Sequence, residues 1–324
     1  MSDYKVKAIR NGKANNITPK VGNLNWSDSV DSLGTEFSFD MPHSYWDKEF
    51  KDVLSCGDII VISHSSNEIL RGVITETPIN GDSYKGYDFA FYLNKSECVV
   101  QFKRIAADEA IKQLCAKYNV PVGSVSKMPT AIKKVYKDQT VYDVIKDILE
   151  QVKQETGQDH RIEMIKGKLQ ITKSGSIKIK PTYIDELGKK VICTKSASIN
   201  GSRSIEGMKN QVIVAGTDEN KEQIKSIAIS KKSVAKYGLL SEVQTFDDLN
   251  NAKAKNKAKT ILKELNKVST NFTAEMIGND SVRSGRLLYF DRPEAKIKGW
   301  YKIKSVTHTV NNGIHTMSCE MERV

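Results

Sequence analysis

Two of the five histidines, His308 and His315, are spaced so that they could share a metal ion. They flank Asn312-Gly313, a dipeptide that favours a two-residue type I′ turn between antiparallel strands. In that hairpin His308 lies opposite Met317 and Val310 lies opposite His315, so both imidazoles share one face as diagonal neighbours. Two ligands do not make a metal site, and no Cys, Asp or Glu lies nearby with matching spacing. The sequence therefore favours two ordinary histidines on a strand surface.

The other residue types that carry chemistry form no catalytic pattern. Nucleophile elbows, phosphate loops, H-E-x-x-H and dinucleotide fingerprints are absent from the sequence. The acidic pairs Asp108-Glu109 and Asp247-Asp248 stand at predicted helix starts, where carboxylates oppose the helix dipole. We therefore predict no catalytic, cofactor-binding or metal-ligating residue, no cofactor and no enzymatic activity. Reduced, mostly buried thiols are predicted for the scattered cysteines, which form no C-x-x-C pair: Cys56, Cys98, Cys115, Cys193 and Cys319.

The first hundred residues alternate apolar and polar side chains, which indicates half-buried strands. Phe37, Phe39 and Met41 show the alternation most clearly. Asn11-Gly12 and Asn80-Gly81 separate such runs and predict tight turns. We expect an antiparallel barrel or sandwich of about six strands. Further strands are predicted at 4–8, 59–62, 69–74 and 87–91.

Two amphipathic helices and a hairpin are predicted between residues 105 and 180. Ile111, Leu114, Cys115 and Tyr118 form one helical stripe, and a second apolar face runs from Val141 to Val152. Thr140 stands at the N-cap position of the second helix, and Gly157 can close it. A hairpin around Lys166-Gly167-Lys168 follows, so this segment reads as a compact α/β module.

Strand patterns return after residue 181. Val212–Val214 is a predicted strand, and Asn200-Gly201 is a predicted turn. One helix is predicted from about Asp247 to Lys267, with Ala258, Ile261, Leu262 and Leu265 facing inward and its lysines in solvent. The last element is a long hairpin whose arms span 302–310 and 314–322.

Composition and charge indicate several soluble domains. Residues 1–101 carry 10 Lys and Arg against 14 Asp and Glu, residues 102–180 carry 16 against 9, and residues 181–324 carry 24 against 16. The basic residues are interleaved with acids, which argues only weakly for nucleic-acid binding. No signal-peptide pattern and no long apolar stretch is evident, so we expect a protein that folds in the cytoplasm and does not enter a membrane.

The predicted fold class is α+β and predominantly antiparallel β. We expect two β-barrel domains with a small α/β module between them. The predicted domains are a barrel at 1–101, the module at 102–180 and a second barrel at 181–324, which contains the long helix at about 247–267.

The order of these pieces resembles the baseplate hub protein of contractile phage tails. The form it resembles occurs in PBSX-like prophages and tail-derived bacteriocins and is related to the T4 tail hub. Each short stretch is weakly specific, whereas their order and spacing together are fairly specific. Four groups of stretches carry the resemblance: Tyr4–Val6 with Leu24–Ser27 and Gly57–Ile60; Val135–Ile145 with Gly157 and Gly167–Leu169; Asn210–Val214 with Gly278-Asn279 and Ser284-Gly285; and Gly299–Thr309 with Gly313–Met317.

The resemblance implies a structural part of a phage-tail-like particle. Such a hub is a homotrimer of tail-tube-like barrels that joins the hexameric tail tube to the trimeric spike and contacts other baseplate proteins. DNA is at most a passing cargo, and the protein moves from the bacterial cytoplasm into the assembled particle. Two alternatives stay open: a muralytic tail enzyme, and a peptidoglycan-binding protein, since Val135–Leu149 partly resembles a LysM module.

Overall fold

The computed structural model describes residues 3–32, 34–43, 54–79, 82–217, 223–246 and 250–323. Its helices are α1 Ala90–Lys95, α2 Ala107–Lys117, α3 Val141–Thr156, α4 Lys231–Tyr237 and α5 Asn251–Leu265. Its strands are β1 Tyr4–Arg10, β2 Lys13–Asn16, β3 Gly22–Ser29, β4 Glu36–Asp40, β5 Ile59–His64, β6 Asn67–Glu76, β7 Ser83–Asp88, β8 Glu97–Ala106, β9 Val122–Val125, β10 Ala131–Thr140, β11 His160–Ile165, β12 Lys168–Lys173, β13 Lys178–Ile179, β14 Thr182–Ile184, β15 Lys190–Ile192, β16 Ser198–Ser204, β17 Gln211–Thr217, β18 Gln223–Ile229, β19 Ser241–Phe246, β20 Ser269–Ile277, β21 Leu287–Arg292, β22 Ile297–Asn311 and β23 Ile314–Arg323.

The chain divides into two compact units, of which the first comprises residues 1–200 and 273–322. Its main sheet follows the order β20-β23-β22-β3-β4-β7-β6-β5-β1-β2. Phe37 and Phe39 of β4 are buried while their neighbours in sequence are not, as the alternation predicts. Val310 of β22 packs into the same apolar core as β1, β4, β5 and β6. Strands from the first and last parts of the chain therefore share one sheet and one core.

The fold class is confirmed as mostly antiparallel β with few helices. In the described residues the path of the main sheet is open, because β2 lies at one end. The two barrels and the domain boundaries at 101/102 and 180/181 stay predictions.

The predicted turns show where local sequence governs the backbone. Asn11-Gly12 and Asn312-Gly313 both have positive φ at their two residues, as a type I′ turn requires. Lys166-Gly167 has the same geometry between β11 and β12. The turn predicted at Asn200-Gly201 is wrong, since both residues lie inside β16. The turn predicted at Asn80-Gly81 lies outside the described residues.

The strand predicted at 87–91 ends early, at Asp88. The Asp88 carboxylate accepts hydrogen bonds from the backbone N–H groups of Ala90, at 2.9 Å, and Thr35, at 2.8 Å. These side-chain hydrogen bonds take the place of the backbone hydrogen bonds that would continue the strand. Phe91 consequently falls within helix α1, and the prediction of a strand there is wrong.

The middle segment is built as the sequence predicts. Helices α2 and α3 share one apolar core with β8, β10 and the β9-β12-β11 sheet. Asp108 and Glu109 lie in the first turn of α2, where a helix favours carboxylates. The partial resemblance to a LysM module does not extend beyond α3. Strand β10, before this helix, pairs with β8, and strand β11, after it, pairs with β12.

Replacing the N-cap of α3 is expected to destabilise the middle segment measurably. Thr140 Oγ1 accepts from the Asp143 N–H at 3.1 Å, and Gly157 ends the helix with φ 71°. Thr140→Ala removes this acceptor and should lower the free energy of unfolding by about 1 kcal/mol. Thr140→Ser keeps the hydroxyl and should stay within about 0.5 kcal/mol of the parent in urea denaturation. Equal losses in both variants would contradict the capping role.

The second unit, residues 201–272, carries helix α5 on a three-stranded sheet. Ala254 and Ala258 of α5 are buried against Val212 and Val214 of β17, with Ile261 and Leu262 packed beside them. Lys253, Lys255 and Lys259 are exposed, as predicted. The helix begins after the N-cap Asn250 and ends at Leu265, two residues short of the predicted end. The predicted cap Asp247-Asp248 lies outside the described residues.

Candidate functional site

A chain of polar side chains, the histidine cluster, joins the first strands of the protein to its last hairpin. It consists of Tyr4 on β1, His64 on β5, Asp280 after β20, His308 on β22 and His315 on β23. All five lie in the first unit. Their side chains meet although up to 311 residues separate them in sequence.

Short polar contacts run through the histidine cluster from one end to the other. The Tyr4 hydroxyl lies 2.6 Å from Asp280 Oδ1 and 2.7 Å from His315 Nδ1. His315 Nε2 lies 2.9 Å from His308 Nδ1. His308 Nε2 contacts the Val282 carbonyl at 3.0 Å, which requires this nitrogen to donate. Asp280 Oδ2 contacts the ring of His64 at 2.5 Å, so one carboxylate ties two strands together.

Burial lowers the pKa values of the two central imidazoles of the cluster. Burial, with the nearby His315, lowers the pKa of His308 to about 3. Burial lowers the pKa of His315 to about 4 against the opposing effect of Asp280. Burial and hydrogen bonding to Asp280 raise the pKa of Tyr4 well above its usual range. Trp26 stacks on His308 with ring centroids 4.8 Å apart, which completes an apolar wall around the imidazole.

The predicted pair of histidines is therefore correct in position and wrong in environment. His308 and His315 share a face and contact each other, as the hairpin predicts. They are not strand-surface residues, because His308 is 1% exposed. Asp280 and His64 approach from distant parts of the sequence, which local spacing could not reveal. In the described part of the chain no group of three or more His, Cys, Asp and Glu side chains is arranged to hold a metal.

A second buried group, the arginine cluster, joins the main sheet to the middle segment. It consists of Asp28 on β3, Arg161 and Glu163 on β11, and Arg283 and Arg286 between β20 and β21. Glu163 Oε2 lies 2.8 Å from Arg161 Nη2 and 3.0 Å from Arg286 Nη2. The Asp28 side chain is 13% exposed, and its burial raises the pKa of its carboxyl against the effect of nearby guanidinium groups.

The loop of residues 279–286 contributes to both clusters. Arg283 donates to the carbonyls of Met164 on β11, at 3.1 Å, and Ile69 on β6. The Ser284 N–H donates to the Asp28 carboxylate at 3.1 Å, while Asp280 and Val282 belong to the histidine network. Three sequence-distant segments thus meet on one loop. Hydrogen-bonded charges of this kind are costly to separate from their partners.

The remaining predictions about chemistry fall outside these clusters. Cys98, Cys115, Cys193 and Cys319 are buried free thiols, as predicted, whereas Cys56 is exposed. Among the described residues no helix is both long enough and apolar enough to cross a lipid bilayer.

The described chain is thus a largely antiparallel β structure in which charged and polar side chains connect segments that are distant in sequence. The model of the YQBQ-like family matches residues 24–322 of this chain. The chain therefore belongs to the YQBQ-like family.

The chain also resembles two curated relatives in sequence and a solved structure in fold. The chain is 28% identical over 294 residues to the uncharacterised protein YqbQ of Bacillus subtilis, covering 86% of this chain and 83% of YqbQ. It is 27% identical over 277 residues to the phage-like element PBSX protein XkdQ of the same species, covering 83% and 82%. Its fold is similar to that of a tail protein from Neisseria meningitidis, with a TM-score of 0.72, 14% identity and coverage of 99% and 96%.

Proposed function

We propose that this chain is the structural hub of a contractile phage-tail-like particle, where it joins the tail tube to the spike. The observation that carries the proposal is the near full-length similarity to XkdQ, a protein of the phage-like element PBSX. The fold shared with a tail protein from Neisseria meningitidis is consistent with it.

The structure of the first unit suits a part that transmits force without changing shape. The arginine cluster fastens β3, β6 and β11 to the loop of residues 279–286, and the histidine cluster fastens β1 and β5 to the final hairpin. Strand β2 lies at the end of the sheet path with all four residues exposed. An open edge of this kind can be completed by a neighbouring chain.

The proposed assembly is a homotrimer whose β domains form a ring with approximate sixfold symmetry. On one side this ring meets the hexameric tail tube, and on the other it holds the trimeric spike, with other baseplate proteins around it. The acidic first third, with 10 basic against 14 acidic residues, suits a lumen through which DNA passes without binding. The chain works as a structural part and not as an enzyme, and it is assembled in the bacterial cytoplasm before it joins the particle.

Light scattering of the purified chain, alone and mixed with the spike protein encoded beside it, tests this proposal. We expect a trimer that forms with the spike, because association depends on partners and concentration. A mixture with the tail tube protein should produce a larger complex only when the spike is present.

The two alternatives make different predictions in parallel assays. A peptidoglycan-binding protein would sediment with purified cell walls, and a muralytic enzyme would clear a zymogram. Either result, together with a chain that stays monomeric beside the spike, would overturn the hub proposal.

A further inference from the structure

A polar cavity of about 360 Å³ lies beside the arginine cluster in the first unit. One face of α3 forms a wall of the cavity, and the segments around residues 29–32 and 159–162 form others. Ser284 and Gly285 of the 279–286 loop close it. Its volume falls in the range of sites that hold small molecules.

Arg161 contributes a buried cationic side chain to the lining of this cavity. The residue lines the cavity and is only 8% exposed. Its Nη2 pairs with Glu163 Oε2 at 2.8 Å, whereas Nε and Nη1 make no hydrogen bond to a described residue. A buried donor without an acceptor costs about 1–3 kcal/mol, and more when it is charged. Nε and Nη1 can therefore receive acceptor atoms from a ligand.

The charges around Arg161 leave a positive excess. Two carboxylates, Glu163 and Asp28, and two further guanidinium groups, Arg283 and Arg286, act on it. Three cations thus face two anions within the group. Burial lowers the pKa of Arg161 to about 10 against the opposing effect of Glu163 and Asp28.

Gly285 keeps the space beside the Arg161 side chain open. Its φ is +73°, and a Cβ at this position would lie 2.5 Å from Arg161 Cδ and 2.8 Å from Nε. Any larger residue would have to push the arginine aside. The loop is therefore shaped around the arginine side chain.

Donors and cations also surround the rest of the cavity. His160 lines it, and both of its ring nitrogens are buried. Lys146 and Lys153 project from α3, and Lys302 lies 3.6 Å from Asp159. With Arg161, these lysines outnumber the three acidic lining residues, which are Asp31, Glu150 and Asp159.

We propose that this cavity binds a small molecule that carries an oxyanion, either a phosphate or a carboxylate group. The N–H groups on Nε and Nη1 of Arg161 have no acceptor among the described residues and can donate to oxygen atoms, and a planar guanidinium fork matches both anions. The lysines on α3 add a positive field at the entrance, while the serine hydroxyls of the lining can contact uncharged parts of the ligand. This site is independent of the role of the chain as a hub.

Calorimetric titration of the full chain with inorganic phosphate and, separately, with citrate tests the proposal. The buffer should be Tris chloride at low ionic strength, which contains no oxyanion. We expect saturable one-to-one binding of at least one of the two anions with Kd below about 1 mM. The two arms distinguish a phosphate site from a carboxylate site.

Substitutions then locate the binding. Lys146→Gln with Lys153→Gln should weaken the binding at least about tenfold. Arg161→Lys keeps the charge, loses the planar fork and should also weaken the binding, with circular dichroism as the check on folding. Lys255→Gln replaces an exposed lysine of helix α5. This variant is the matched control and should leave Kd unchanged. If Arg161→Lys does not fold, the double lysine variant decides. The absence of saturable binding of both anions, or a Kd that the lysine substitutions leave unchanged, would overturn the site.

Discussion

Lowering the pH from 7 to 5 is expected to reduce the free energy of unfolding, with His308 and His315 as the principal cause. Their folded pKa values lie near 3 and 4, below the ordinary value of 6.5. Between pH 6.5 and 4 the unfolded chain therefore binds more protons than the folded protein, so stability falls as the pH falls. Each histidine should cost about 2 kcal/mol by pH 5.

Buried carboxyl groups oppose this loss in part. Burial raises the pKa of Asp88 to about 6, so the folded protein takes up a proton there that the unfolded chain does not. This uptake should return about 1 kcal/mol by pH 5. Asp28, whose pKa burial also raises, acts in the same direction. The expected net result is still a clear loss of stability.

Urea denaturation at pH 7 and pH 5 measures this effect, and two variants assign it. His315→Gln keeps a polar side chain in the cluster and should remove about 2 kcal/mol of the pH-dependent loss. Ile111→Val, in the apolar core of the middle segment and outside the histidine cluster, removes no titratable group, so it should lower stability equally at both pH values. A stability that rises between pH 7 and 5 would contradict the expectation.

Replacing Glu163 by Gln is expected to cost about 3–5 kcal/mol of stability. The carboxylate is buried and lies within 3.0 Å of nitrogens from both Arg161 and Arg286. Removing its charge leaves two buried guanidinium groups without their shared anion, while the volume of the side chain is unchanged. The midpoint of urea denaturation should therefore shift strongly.

Glu155→Gln provides the matched control, because Glu155 is an exposed residue at the end of α3. It should change the free energy of unfolding by less than about 0.5 kcal/mol. A loss below about 1 kcal/mol for Glu163→Gln would contradict the view that the arginine cluster fastens the middle segment to the main sheet.

The periodic spacing of apolar residues predicted much of the fold, because the buried face of a strand or helix requires apolar side chains at that spacing. Phe37 and Phe39 specify the inner face of β4, and the apolar stripe from Val141 to Val152 specifies α3. Asn312-Gly313 fixes the final turn through its positive φ values. In these places the conformation that the local sequence favours is the one that the tertiary fold requires, so the sequence alone predicts the element.

The polar clusters could not be predicted, because their members meet only after the chain has folded. Asp280 and Arg283 lie in a loop with no periodic pattern, and their partners come from β1, β5, β6 and β11. Asp88 ends β7 by accepting backbone hydrogen bonds, which overrides the strand pattern of the aromatic residues after it. The sequence feature that could have indicated the clusters is the group of charged residues between two strands at 280–286.

The central claim is that this chain is the hub that joins a tail tube to its spike. Electron cryomicroscopy of tail-like particles from a strain that encodes the chain, compared with a strain that lacks it, tests this most directly. We predict threefold density matching the first unit between the tube and the spike, and spikeless or unassembled particles without the chain. Complete particles in the deletion strain, or no such density at the end of the tube, would contradict the claim.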